Sequence, residues 1–138
     1  MGKILVMDDK KSIRDLFLEY SSYLGHTINT VETGEEAIDL ISKNHYDLAF
    51  FDLQNYVGKG GVETMGEVKK IAPGLPVVLM TTVAASKAKA VQRPQDYGFV
   101  GLLAKPFNLV AIKDIAFLCL LRFTIKAISK IAITNSAK

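Results

Sequence analysis

The chain has 138 residues, 49% of them hydrophobic and 22% charged, which supplies one buried core and too little material for two ordinary domains. A net charge of +3, with 17 basic residues scattered except toward the C-terminus, argues against a nucleic-acid surface on this chain. The single cysteine, Cys119, excludes an internal disulfide and reads as core or interface packing, and no uncharged apolar stretch reaches the ~20 residues of a bilayer span.

The N-terminal Met-Gly-Lys runs directly into a short strand, Lys3 to Met7, that ends at Asp8 and Asp9. It lacks the apolar core of a secretory leader, so cytoplasmic residence is expected. Lys11 to Leu24 places Ile13, Leu16, Phe17, Tyr20 and Leu24 on one helical stripe, and Gly25 supplies a stop. His26 to Val31 reads as a more polar second strand. Thr33 and Glu36 then form a capping-box pattern opening a second helix, with Ala37, Ile38 and Ile41 facing inward.

Tyr46 to Asp52 is almost continuously apolar, as expected of a central strand covered on both faces. After the loop Gln54 to Gly61, Val62 to Ile71 reads as a third helix ended by Pro73 and Gly74, and Val77 to Thr81 as a fourth strand. Ala84 to Gln92 has the composition of a fourth helix, cut short by Pro94. Phe99 to Ala104 is the fifth strand, and a long helix is expected from near Asn108. Alternation of short apolar runs with amphipathic ones predicts a doubly wound α/β domain with a five-stranded parallel sheet in the order 2-1-3-4-5.

In such a sheet, ligands bind beyond the carboxyl ends of the strands where the strand order reverses. Asp8 and Asp9, Asp52, Thr81 and Lys105 all stand at strand ends. Three carboxylates brought together there call for a hard cation, and Mg²⁺ prefers oxygen ligands. A carboxylate, a divalent cation, a lysine and a hydroxyl around one hole suit acceptance of a phosphoryl group, with Asp52 the natural nucleophile.

The pieces KILVMDD, TGEEAIDLI, YDLAFFDL, PVVLMTT and LLAKPF, in this order and spacing, resemble the receiver domain of two-component response regulators, of the chemotaxis-regulator-like superfamily, over residues 3–123. The resemblance implies a flavodoxin-like receiver fold that takes a phosphoryl group on Asp52 from a sensor histidine kinase or phosphotransfer protein. It would then signal to a downstream protein target, with transfer and dephosphorylation self-catalysed rather than the work of an ordinary enzyme. It further implies Mg²⁺ on Asp9, Asp52 and the Gln54 backbone carbonyl, with Asp8 a ligand through water. Thr81 and Lys105 would hold the phosphoryl oxygens, and the Lys105–Pro106 peptide would be cis.

The chain departs from that pattern in four places. Tyr56 stands where a proline is usual, and the loop QNYVGKGG is rich in glycine without the order of a nucleotide P-loop. Thr82 replaces a small residue beside the acceptor, which predicts slowed phosphoryl exchange. Leu102 replaces the usual aromatic of the fifth strand, so an aromatic-coupled switch is not expected. His26 and His45 sit singly at the opposite end of the sheet, where surface or packing roles are expected.

The segment 109–133 carries more large apolar residues than one helix face needs, among them Ile112, Phe117, Leu118, Leu121, Phe123, Ile125, Ile128 and Ile131. A symmetric homodimer through this C-terminal helix and a helix folded back on its own domain are equal expectations, with membrane-surface contact third. Residues 124–138 read as a basic and apolar extension, too short for a helix-turn-helix or catalytic output module. If the chain is a fragment of a longer regulator, a further part could supply that output. The alternatives to a phosphoacceptor are a phosphorylation-independent pseudo-receiver that dimerises or docks, and an aspartate-dependent phosphatase. The latter would want a general acid where Gln54 stands.

Overall fold

A computed structural model describes residues 2–121. Its strands β1 (Lys3–Met7), β2 (Thr27–Val31), β3 (Leu48–Asp52), β4 (Val77–Thr81) and β5 (Gly101–Ala104) form one sheet in the order β2-β1-β3-β4-β5, every neighbouring pair parallel. The helices are α1 (Lys11–Leu24), α2 (Gly34–Lys43), α3 (Gly61–Ile71), the short α4 (Lys89–Gln92) and α5 (109–121).

Successive residues of a strand point to opposite faces, so the apolar runs of β1, β3 and β4 feed two cores at once. Leu5, Met7, Ala49, Phe51, Val77 and Leu79 pack with Ala37 and Ile41 of α2, Met65 and Val68 of α3 and Ala90 of α4. Ile4, Val6, Leu48, Phe50, Val78 and Met80 pack on the other face with Phe17 of α1 and Ile112 and Ala116 of α5. Phe17 is the keystone of that second core: its ring lies 5.1 Å from Phe50 and 5.6 Å from Phe107.

The helix boundaries follow local chemistry. Gly25 closes α1 at φ 70°, a left-handed conformation that a side chain disfavours. Asn108 opens α5 by accepting the Ala111 amide proton at 3.0 Å. Thr33 caps α2 by accepting from the Glu36 amide. The return half of the expected capping box is absent: the Glu36 carboxylate accepts from the Thr33 hydroxyl at 3.1 Å instead of from its backbone.

Three expected strand starts move inward. β2 begins at Thr27, β3 at Leu48 and β5 at Gly101. The expected fourth helix, Ala84 to Gln92, is replaced by a 3-10 turn over Val83–Ala85 and one α-turn over Lys89–Gln92. Composition favours helix there, but Ala90 is the one residue of those two turns that is buried, so tertiary packing has little to stabilise. Arg93, pushed off helical geometry to φ −138° and ψ 67° by the following proline, ends it.

Among the described residues, no helix is long and apolar enough to cross a membrane. On α5, Phe117 and Leu118 are exposed, as the surplus of apolar residues predicted, while Cys119 is half-buried against the α1/α5 core. The extension 124–138, with Ile125, Ile128, Ile131 and Ile133, lies outside the described residues.

Candidate phosphoacceptor site

The crevice forms where the sheet reverses, between β1 and β3. Asp8 and Asp9 follow β1, Asp52 and Thr81 are the last residues of β3 and β4, and Lys105 follows β5. All five expected side-chain positions therefore meet at one end of the sheet. Single carboxylate oxygens of Asp8, Asp9 and Asp52 lie within 4.8 Å of one another.

Lys105 reaches into this cluster from the far side, its Nζ 2.6 Å from Asp8 Oδ2 and 3.1 Å from Asp52 Oδ1. Its backbone amide donates a hydrogen bond to the Thr81 carbonyl at 2.7 Å, and the Lys105–Pro106 peptide is cis. Asp8 is fully buried; besides the lysine it accepts the Lys10 amide at 2.9 Å, and its carbonyl accepts from Arg14 at 2.9 Å. The Thr81 hydroxyl donates to the Thr82 carbonyl at 3.2 Å.

Charge sets the chemistry here. Burial, then the neighbouring negative charge of Asp8, pushes the Asp52 carboxyl up to about 6, and Lys105 offsets only part of this. Burial alone would lower Lys105, but its hydrogen bonds and charge pairing with Asp8 and Asp52 outweigh it and raise the ammonium's pKa. Asp9 completes the cluster: its Oδ2 accepts the Tyr56 amide at 3.1 Å, whereas its Oδ1 is buried without a hydrogen-bond partner. A buried, unpartnered carboxylate oxygen beside two further carboxylates is the donor set a hard divalent cation takes, so these residues fit Mg²⁺.

A cleft lies over Asp52. It is lined by Gln54, Tyr56, Thr82 and Ala85 together with Lys10, Thr81 and Lys105. The Tyr56 hydroxyl donates to Gln54 Oε1 at 3.1 Å. Sequence reasoning did not foresee the bond from the Tyr56 amide to Asp9, because backbone donors leave no trace in residue type.

Residues 4–117 match the response regulator receiver domain. The chain belongs to that family. This receiver is 30% identical to the sporulation initiation phosphotransferase F of Bacillus subtilis over 112 residues, which is 81% of this chain and 88% of that protein. It is 32% identical over 111 residues, 80% of the chain, to the sensor histidine kinase RcsC of Escherichia coli, of which it spans 11%. The crystal structure of the receiver domain of NtrX from Brucella abortus superposes with a TM-score of 0.77 at 30% identity, covering 85% of this chain and 97% of that one. Receivers of two-component systems are phosphoacceptor signalling modules, and that is the class of this protein.

The two histidines lie at the other end of the sheet, as expected. His26 Nδ1 accepts the Gly2 amide at 2.8 Å, and His45 Nε2 sits 3.0 Å from Asp47. Leu102 is half-buried against the α2/α3/α4 core.

Proposed function

We propose that this receiver takes a phosphoryl group on Asp52 from a phosphohistidine of a sensor kinase or phosphotransfer protein, in a Mg²⁺-dependent reaction. The observation that carries this reading is the meeting of Asp8, Asp9 and Asp52 within 4.8 Å, with Lys105 bonded to two of them. Asp9, Asp52 and the Gln54 carbonyl would hold the ion directly and Asp8 through water. Bound there, Mg²⁺ neutralises charge on the phosphoryl oxygens and keeps the carboxylates ionised.

An Asp52 carboxylate oxygen attacks phosphorus. The bond from phosphorus to the donor imidazole nitrogen breaks, and its electron pair returns to the ring, which takes up a proton. Lys105 leaves its bond to Asp52 for a phosphoryl oxygen, and the Thr81 hydroxyl leaves the Thr82 carbonyl for another. Hydrolysis reverses the state: a water oxygen attacks phosphorus, the bond to Asp52 breaks, and inorganic phosphate departs. Both steps are self-catalysed, mostly by positioning and charge.

The unit acting this way is residues 1–123, with 124–138 as an extension. Phosphorylation shifts a pre-existing equilibrium toward a partner-binding form. The exposed Phe117 and Leu118 on α5 favour a protein partner at that helix, including a second copy. Cytoplasmic residence fits a kinase donor.

Intact mass after incubation with Mg²⁺ and acetyl phosphate tests the reading. One phosphoryl adduct on the wild type and none on Asp52→Ala is expected. A wild type that takes no adduct would replace the acceptor with a docking module.

A further inference from the structure

At the end of the sheet opposite the acceptor, a groove of about 500 Å³ runs beneath the strand starts. Its apolar lining comes from Ile41 of α2, Tyr46 before β3, Leu75 and Pro76 before β4, and Leu120 of α5. Its size suits a ligand or a short stretch of chain. Nothing in the acceptor chemistry uses it.

Hydrogen bonds between the strand starts hold its walls. Asp47 Oδ2 accepts the Lys3 amide at 2.7 Å, the Asp47 amide donates to the Lys3 carbonyl at 2.8 Å, and the Ala49 amide donates to the Pro76 carbonyl at 3.0 Å. An occupant therefore meets a preformed surface.

Charge narrows the choice of occupant. The lining includes one carboxylate, Asp47, and neither lysine nor arginine. The bond from the Lys3 amide, the largest cause, holds that carboxyl below its ordinary range, so it is negative at neutral pH. An apolar segment that carries positive charge and no negative charge is the complement.

The chain itself contains such a segment. Residues 122–133 include Phe123, Ile125, Ile128, Ile131 and Ile133 together with Arg122, Lys126 and Lys130, and no aspartate or glutamate. α5 brings the chain to the edge of the groove, since Leu120 lines it and Leu121 is the next residue. Soon after, the adjacent β-branched Thr124 and Ile125 favour helix less than their neighbours Lys126 and Ala127 do, which suits a change of direction. The groove passes under β2, β1, β3 and β4, three strand spacings or roughly 15 Å. Seven residues from Leu121 to Ile128 span up to ~25 Å, so the segment can reach across it.

We propose that residues 122–133 dock in the groove beneath the strand starts of their own chain, the isoleucines covering its apolar lining and the basic side chains facing Asp47. The tether makes capture intramolecular, at an effective concentration on the order of millimolar, which favours it over a second copy. Docking closes the sheet at the end remote from Asp52 and leaves Phe117 and Leu118 as the apolar surface of α5. It does not depend on Asp52 being the acceptor.

Disulfide trapping in the full chain tests this. Gly74 lines the groove, and a side chain added there meets no atom within 4 Å; Gly66, on α3 outside the groove, is equally open. Cys119→Ser, or Cys119→Ala where serine unfolds the core, removes the native thiol. Ile125→Cys, Ile128→Cys and Ile131→Cys are each then combined with Gly74→Cys or with Gly66→Cys, and a cooperative thermal transition verifies that each variant is folded. A disulfide needs its two Cα atoms within ~7 Å, so trapping reports contact. On mild oxidation, at least one of the three should form an intramolecular disulfide with Gly74→Cys about tenfold faster than with Gly66→Cys, at a rate independent of protein concentration. Intact mass and non-reducing electrophoresis read the product. Equal rates at the two glycines would mean a segment that only sweeps past, and would overturn docking. Disulfide-linked dimers that form in proportion to concentration would give the groove to a second copy's segment, and no disulfide at Gly74 with any of the three would leave it to a different partner; either result overturns the proposal.

Discussion

Replacing Asp52 with asparagine should stabilise the magnesium-free protein, and increasingly so as pH rises. Asp52 carries a folded-state pKa of about 6 against an ordinary 3.8, so the folded protein binds its proton more tightly than the unfolded chain. Its contribution is therefore fully present below about pH 4 and is lost as pH climbs through about 6. A shift of about two units corresponds to about 3 kcal/mol, and with Asp52 only 5% exposed, solvent screening does little to reduce it. Asparagine cannot ionise, so the stability difference between variant and wild type should widen by about 3 kcal/mol between pH 4 and pH 7.5. Urea denaturation across that range measures it. Saturating Mg²⁺ at a hundred times its dissociation constant should return about 2.7 kcal/mol to the wild type and less to the variant. Parallel stability curves without the metal would refute the electrostatic account of the cluster.

The same protonation should make Mg²⁺ compete with a proton at Asp52, so affinity at pH 5 should be about tenfold weaker than at pH 7 by titration calorimetry. An affinity flat across that interval would contradict it. Gly34→Ala should cost about 1–3 kcal/mol in thermal or urea unfolding. A methyl there would collide with Thr64 Oγ1 and come within 2.7 Å of the Lys59 carbonyl, which outweighs the helix propensity gained. No loss would mean that α2 and the loop before α3 can part freely. Thr82→Ala, which trims the lining of the cleft, should speed phosphorylation by acetyl phosphate severalfold, and an unchanged rate would remove Thr82 from the control of exchange.

Much of the site was legible because strand ends are marked by a change of residue type. In Met7 to Asp8, Phe51 to Asp52, Met80 to Thr81 and Ala104 to Lys105, an apolar run meets a polar residue, and parallel topology gathers those junctions at one edge. The central strands were read well for the same reason: Leu48 to Phe51 has no side chain content to be anywhere but inside. Strand starts were read too early, as at Tyr46 and Phe99. Both side chains are buried, but their backbones have not yet joined the ladder, and burial does not distinguish the two. The segment after β4 misled because alanine and lysine favour helix locally while offering the sheet almost nothing to cover. What the sequence concealed altogether was the loop after β3. Its contacts include an amide proton that Tyr56 gives to Asp9 and a side-chain bond to a glutamine two residues away, neither of which is a pattern of residue type.

The placement of Lys105 dictates an order of events. One ammonium serves a pocket of three carboxylates, already shared between Asp8 and Asp52, so the resting site keeps an excess of negative charge. A phosphorylated donor arriving first meets repulsion from Asp9 and a lysine that is engaged elsewhere. On the proposed function, a divalent cation would cancel that excess and release the lysine from its internal duties to grip the incoming group. The receiver would then behave as a gate with two keys turned in sequence, the ion before the phosphate. Its response to a kinase would then be conditional on free magnesium as well as on signal.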